Sequence, residues 1–167
     1  HSIRRRQRQM CIRDSNIACL AHFAAGLSGI MHTPSGTSYF RTNPSAGALY
    51  PNDSYFIIRN SDYIPEGVYY YHPIESKLFL ISSISWDELY IAFDKNDNVK
   101  NSSIIFVSTG VFSRSTWRYK ERSYRRILLD NGHLCQNILS LASSWDIKAS
   151  LSSVSYTHLR AHETRIH

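Results

Sequence analysis

The chain has 167 residues, 43% of them hydrophobic, and a formal charge of +6 from 19 Lys/Arg and 13 Asp/Glu. That is ample for one hydrophobic core. The sequence carries no internal repeat, no low-complexity stretch, no signal peptide and no apolar run long enough to cross a bilayer.

The two ends belong together. Met10-Cys11-Ile12-Arg13-Asp14 can be written ATG TGT ATA AGA GAC, whose reverse complement, GTC TCT TAT ACA CAT, encodes Val154-Ser155-Tyr156-Thr157-His158. The ends therefore read as the two strands of one short DNA tag, and both peptides resemble translated sequencing adapters. Residues 1–15 and 154–167 are expected to be non-native tails around a domain at 16–153, and are set aside from fold reasoning as fusion scars are. Two ordinary basic tails are the alternative. Without them, 12 Lys/Arg and 11 Asp/Glu remain. The Arg-rich arm that would signal nucleic acid leaves with the tails, as does the His-rich C-terminus as a metal site. No nucleic-acid, membrane or metal partner is expected. Cys19 and Cys135 lack metal-ligand spacing and read as buried small hydrophobes in a reducing compartment, the cytoplasm.

Ile17, Leu20, Phe23, Ala24 and Leu27 recur at helical spacing, which predicts a helix over 16–30 stopped near Gly29. A loop through Pro34, Ser35 and Gly36 follows. Arg41-Thr42-Asn43-Pro44-Ser45-Ala46-Gly47-Ala48-Leu49-Tyr50-Pro51 then places small residues in series, which leaves backbone open to close approach by a ligand or a neighbouring element. Residues 54–59 read as a strand, and 67–73 with 77–82 as a hairpin. Tyr69, Tyr70 and Tyr71 alternate across the first hairpin strand. Ser85-Trp86-Asp87-Glu88 is a capping box that opens a short helix to about Phe93. Residues 95–98 are a turn. Residues 103–109 are the most apolar strand, expected at the sheet centre. A long helix is predicted from Tyr119 to Ser144, with Tyr124, Ile127, Leu128, Leu134, Cys135, Ile138, Leu141 and Ala142 on its apolar face. Helices and mostly hairpin-linked strands in this order predict an α+β fold.

Two motifs carry a resemblance. One is Arg41-x-x-Pro44-Ser45-Ala46-Gly47-x-Leu49-Tyr50-Pro51. The other is Trp117-x-Tyr119-x-x-Arg122-x-Tyr124-Arg125, followed by Asp130-x-Gly132-His133-x-x-Gln136-Asn137. With Gly67-Val68-Tyr69-x-Tyr71 between them, residues 16–150 resemble the SagB/McbC-type dehydrogenase branch of the FMN-dependent nitroreductase superfamily. The resemblance implies a mainly antiparallel sheet wrapped by helices, a long central helix, and a homodimer with FMN at the subunit interface. It implies hydride transfer from substrate carbon to flavin, as in azoline-to-azole oxidation of modified peptides, with a peptide substrate and a cyclodehydratase partner. A catalytically inactive scaffold or docking subunit of such a complex is the alternative.

By that resemblance, Arg41, Pro44, Ser45, Ala46, Gly47, Gln136 and Asn137 are the cofactor-binding candidates. Arg41 would pair with the FMN phosphate or a flavin carbonyl, or stand solvated in its loop. Gln136 and Asn137 would reach the flavin or the dimer partner, or only solvate the helix. Tyr119 and Arg118 are the catalytic candidates. Tyr119 would act as general base, or pack before the helix. Arg118 replaces the lysine usual in peptide-azole members; an arginine is a poor proton acceptor but can hold a negative charge. Arg114, Arg118, Lys120, Arg122, Arg125 and Arg126 form a basic cluster that reads as a solvated face, or as a site for phosphate or an acidic leader peptide. The family's N-terminal Arg-Arg-Ser-x-Arg element should precede residue 16; Arg4–Arg8 imitates it without the serine. The chain is accordingly read as a fragment, cut near Ser153.

Overall fold

The computed structural model describes residues 14–34, 36–59, 61 and 63–152. The expected tails lie outside these residues, except Asp14 and Ser15, which begin the first helix. In chain order the elements are α1 (Asp14–Ala25), β1 (Leu27–Thr33), β2 (Gly36–Arg41), β3 (Asn52–Ile58), β4 (Gly67–His72), β5 (Lys77–Ser82), α2 (Trp86–Ala92), α3 (Asp97–Asn101), β6 (Ile104–Gly110), α4 (Ser113–Tyr119) and α5 (Ser123–Ser144). The α+β class holds: an antiparallel sheet in the order β5-β4-β3-β6 is covered by helices, and β1-β2 forms a separate hairpin.

β3 is buried on both faces in its second half because helices cover the sheet from both sides there. On one face Phe56 and Ile58 meet Ile17, Leu20, Ala21 and Ala24 of α1, Tyr69 and Tyr71 of β4, and Leu134 of α5. On the other, Ile57 meets Trp86 and Leu89 of α2. The capping box stands as expected: Ser85 Oγ accepts from Glu88 N, and the Glu88 carboxylate accepts from Ser85 N, each at 3.2 Å. A carboxyl oxygen and a hydroxyl there satisfy N–H groups that the first helical turn leaves unpaired.

Several expectations are corrected. The first helix ends five residues early, at Ala25, because the chain leaves the helix at Gly26. There the Gly26 N–H donates to the His22 carbonyl at 2.7 Å, and a β-carbon would run into the His22 ring and carbonyl. Leu27–Thr33 then pairs with Gly36–Arg41 as a hairpin, not a loop. Ile30 and Met31 are about half exposed on it, so no buried face imposed a period-2 pattern on the sequence. β6 stands at the edge of the described sheet, not its centre. Its apolarity comes from contributing to both cores, Phe106 to the first and Ile105 and Val107 to the second.

The expected long helix is present as α5 and ends at Ser144 as expected, but it begins at Ser123 rather than Tyr119. Lys120 takes φ +49°, a left-handed value, and a single 3-10 turn (Lys120–Arg122) leads into α5. On α5, Ile127, Leu134 and Ala142 face inward, whereas Tyr124 and Leu128 of the predicted apolar face point outward, 60% and 52% exposed. Cys19 is exposed, not buried, because α1 turns Ile17, Leu20, Ala21 and Ala24 inward; Cys135 is partly buried. Among the described residues no helix is long and apolar enough to cross a membrane, and no group of His, Cys, Asp or Glu is arranged to hold a metal ion.

Candidate functional site

The two motifs meet in space. Residues 45 and 46 bond Asp130 of α5, and α4 comes up against the same loop at Gly47. A β-carbon on Gly47 would lie 2.7 Å from the Tyr119 hydroxyl and 3.3 Å from the Arg118 guanidinium. The small residue at 47 thus admits the tyrosine of the second motif. Tyr119 stands within cation–π range of two guanidinium groups, that of Arg126 at 4.9 Å and that of Arg118 at 5.8 Å from the ring centre. Among the described residues, the Tyr119 hydroxyl and the Arg118 guanidinium have no hydrogen-bond partner.

The loop is strained and held. Gly47, Ala48 and Tyr50 have φ of +65°, +54° and +45°. For the two that carry a side chain this conformation costs about 1–2 kcal/mol each, and it persists only where neighbours over-determine it. Those neighbours are few and specific. Ser45 Oγ donates to Asp130 Oδ2 at 2.6 Å and accepts from Tyr50 N at 2.9 Å. Ala46 N donates to Asp130 Oδ1 at 3.2 Å. The Tyr50 hydroxyl accepts from Arg41 N at 2.9 Å and so closes the loop onto the end of β2. The same end is tied to α1: Thr42 N and Oγ1 donate to the carbonyls of Gly26 and His22 at 2.9 and 3.1 Å.

A row of arginines runs along the outer side. The Arg41 guanidinium lies 5.0 Å from the centre of the Tyr50 ring and has no ion pair or hydrogen bond among the described residues. Burial pushes its pKa below the usual value, with Arg114 pushing the same way and Tyr70 and Asp53 opposing. Arg114, on α4, donates to both oxygens of Asp53 at 2.6 and 3.1 Å. That hydrogen-bonded pair raises the Arg114 pKa. Arg118 follows one helical turn later on the same side. Asp53 and Tyr55 occupy the half of this sheet face that α2 leaves open, where the rings of Tyr55 and Tyr70 meet at 5.6 Å. The predicted alternation of Tyr69, Tyr70 and Tyr71 is what splits the aromatic core from this polar face.

The structure brings Ser45, Ala46, Gly47, Arg118 and Tyr119 together, with exposed Pro44 beside them. Arg41 joins through Tyr50. Gln136 and Asn137 stand farther off, about 10 Å along α5 from Asp130. Gln136 Nε2 donates to Ser140 Oγ at 3.0 Å, and Asn137 Nδ2 to the Phe23 carbonyl of α1 at 3.1 Å. Asp130 was absent from the sequence-derived site, yet it is 5% exposed and holds the loop. Its signal was present: Ile127-x-x-Asp130-x-x-x-Leu134 sets a carboxylate on the buried stripe of a helix, where charged groups are rare unless partnered.

The chain has a nitroreductase-like fold. No protein-family model matches it. Its sequence is 28% identical over 142 residues to Putative nitroreductase MJ1384 of Methanocaldococcus jannaschii, covering 84% of this chain and 70% of that one. It is 27% identical over 141 residues to the microcin B17-processing protein McbC of Escherichia coli, covering 81% of this chain and 52% of McbC. In structure it matches a nitroreductase-designated protein of Anabaena variabilis with a TM-score of 0.72 and 34% identity, over 77% of this chain and 27% of that one. It also matches the E. coli microcin synthetase McbBCD complex with truncated pro-MccB17 bound, with a TM-score of 0.65 and 24% identity, over 81% of this chain and 51% of the matched chain. The chain thus spans about half of McbC. These likenesses support a relationship to the nitroreductase superfamily and to McbC.

Proposed function

We propose that this chain is the loop-and-helix half of the active site of an FMN-dependent oxidoreductase, a SagB-type dehydrogenase that takes hydride from a modified-peptide substrate. The observation that carries the reading is the meeting of Gly47 with Tyr119 and Arg118, residues of two motifs far apart in sequence. The sequence likenesses to a nitroreductase and to a microcin-processing protein favour the same chemistry.

The residues suit the cofactor. A flavin mononucleotide is a flat, polar ring with a phosphate. The site offers exposed backbone at Gly47 and Ala48, and cationic or hydroxyl donors at Arg41, Arg118 and Tyr119 that no described residue occupies. A half-buried guanidinium without an anion is costly, so Arg41 is suited to a negative group. Arg41, Pro44 and Gly47 would hold the cofactor, with Ser45 and Ala46 keeping the loop in place and Gln136 and Asn137 reaching a more distant part or the partner subunit. When bound, flavin supplies the hydride acceptor, and the protein orients the reacting atoms. Tyr119 would take the substrate proton, and Arg118 beside it would hold the negative charge that develops. A homodimer and a cyclodehydratase partner belong to the same reading. The outward Tyr124, Leu128 and Leu129 on α5 supply an apolar face for the second subunit.

Arg118 in place of lysine favours a second reading, a flavin-free docking subunit. The whole protein that contains this chain should purify yellow and release FMN on denaturation, and in it Tyr119→Phe should lower turnover by roughly 10²-fold. A colourless whole protein indifferent to added FMN overturns the enzyme reading.

A further inference from the structure

We propose that Asp130 is the positioning residue of this site: its carboxylate holds the 45–50 loop in the strained form that sets exposed Gly47 against Tyr119 and Arg118. The inference rests on the reading that this loop faces a flavin.

Both carboxylate oxygens are given to one loop. Oδ2 accepts from the Ser45 hydroxyl and Oδ1 from the Ala46 N–H, and no Lys or Arg among the described residues pairs with either. A buried carboxylate without a cation is expensive, and its retention needs donors that belong to it. Ser45 carries the hold onward, since the hydroxyl that donates to Asp130 also accepts from Tyr50 N. Directly and through Ser45, one side chain thereby fixes residues 45, 46 and 50, which bracket the left-handed residues 47 and 48, Tyr50 being left-handed itself.

The position of Asp130 ties this hold to the reacting pair. It sits on α5 between inward Ile127 and Leu134, and the chain runs back from α5 through one 3-10 turn to Tyr119 and Arg118. Loop and pair are therefore referred to the same helix. Two donors converge from one side, a hydroxyl and an amide N–H, and each is taken by its own carboxylate oxygen. Asparagine has the same shape but one oxygen, so its NH2 group would stand where either the Ser45 hydroxyl proton or the Ala46 N–H now finds its acceptor.

In the full chain, Asp130→Asn and Ser45→Ala should each raise hydrogen exchange at the Ala46 and Tyr50 amides by roughly tenfold or more, through local opening. Each should also weaken FMN binding by roughly tenfold, measured by flavin fluorescence titration. Leu134→Ala, one turn along the same helix, is the control. It should lower the melting temperature at least as much, yet leave loop exchange and FMN affinity within about twofold. Unchanged loop exchange in both Asp130→Asn and Ser45→Ala overturns the proposal. So does a loosened loop with unaltered FMN affinity, or a Leu134→Ala variant that loses FMN in proportion to its stability. If Asp130→Asn fails to fold, Ser45→Ala carries the same expectation from the loop side. Failure of the unsubstituted chain to bind FMN counts against the flavin reading instead, and loop exchange alone then decides whether Asp130 holds the loop.

Discussion

The Tyr119 hydroxyl fills the space that any side chain on Gly47 would need; a β-carbon there would lie 2.7 Å from it. Gly47→Ala should therefore cost twice over, once for a left-handed φ of +65° and once for the collision. A total of about 2–3 kcal/mol is expected in urea unfolding. In a Tyr119→Phe background the oxygen is gone, and the same substitution should cost only about 1 kcal/mol. Tyr119→Phe alone should change stability by less than about 0.5 kcal/mol, because the hydroxyl has no hydrogen-bond partner to lose. Equal cost of Gly47→Ala in both backgrounds would show that the two residues are not in contact.

That contact explains what the sequence could and could not convey. The serial small residues announced a close approach, but spacing alone could not say that Tyr119 of the second motif comes down on Gly47. Strands β3, β4 and β5 and the Ser85 cap were legible because alternation and capping are local. The β1-β2 hairpin was not, because Leu27 and Ile30 continue a helical spacing while Gly26 ends the helix, and half-exposed strands carry no compensating pattern. The break at Lys120 was invisible because nothing in Tyr119-Lys120-Glu121-Arg122 excludes a helix; tertiary packing overrode propensity there. Asp130 was legible in principle, as a carboxylate on an apolar stripe, but its partners are 84 and 85 residues away.

Arg114 and Asp53 make the described ion pair best placed to matter for stability. Asp53 is only 12% exposed at its side chain and Arg114 39%, so the pair lies between surface pairs worth under about 1 kcal/mol and buried ones whose breakage costs about 3–5 kcal/mol. Arg114→Ala should cost about 2 kcal/mol. Arg114→Lys should recover less than half of that, because an ammonium cannot donate to both oxygens in the same plane. Asp53→Asn added to Arg114→Ala should cost less than the sum of the singles. Additive costs would mean that the pair contributes nothing as a pair.

The outward face of α5 makes the proposed homodimer testable without disturbing the core. Tyr124 is stacked on Phe112 with ring centres 6.0 Å apart, and Leu128 and Leu129 are 52% and 57% exposed. Leu128→Glu should change monomer stability by less than about 0.5 kcal/mol, as surface substitutions do. It should raise the dimer dissociation constant at least roughly tenfold in analytical ultracentrifugation, since a buried unpaired carboxylate is costly at an interface core. A dimer indifferent to this change uses another face.

Alkaline pH should loosen the fold in two stages. Burial raises the Cys135 thiol above its ordinary 9.0, and burial likewise raises the Tyr69, Tyr70 and Tyr71 hydroxyls above their ordinary 10.0. In each case the native state keeps its proton after the unfolded chain has released it. The stability these groups contribute is fully present below the unfolded value and is lost as pH rises through the folded one. Urea midpoints under reducing conditions should therefore begin to fall just above pH 9 and fall more steeply above pH 10. In Cys135→Ser the first stage should vanish and the second remain, because serine does not titrate in this range. A Cys135→Ser profile that still falls between pH 9 and 10 would locate the first stage elsewhere.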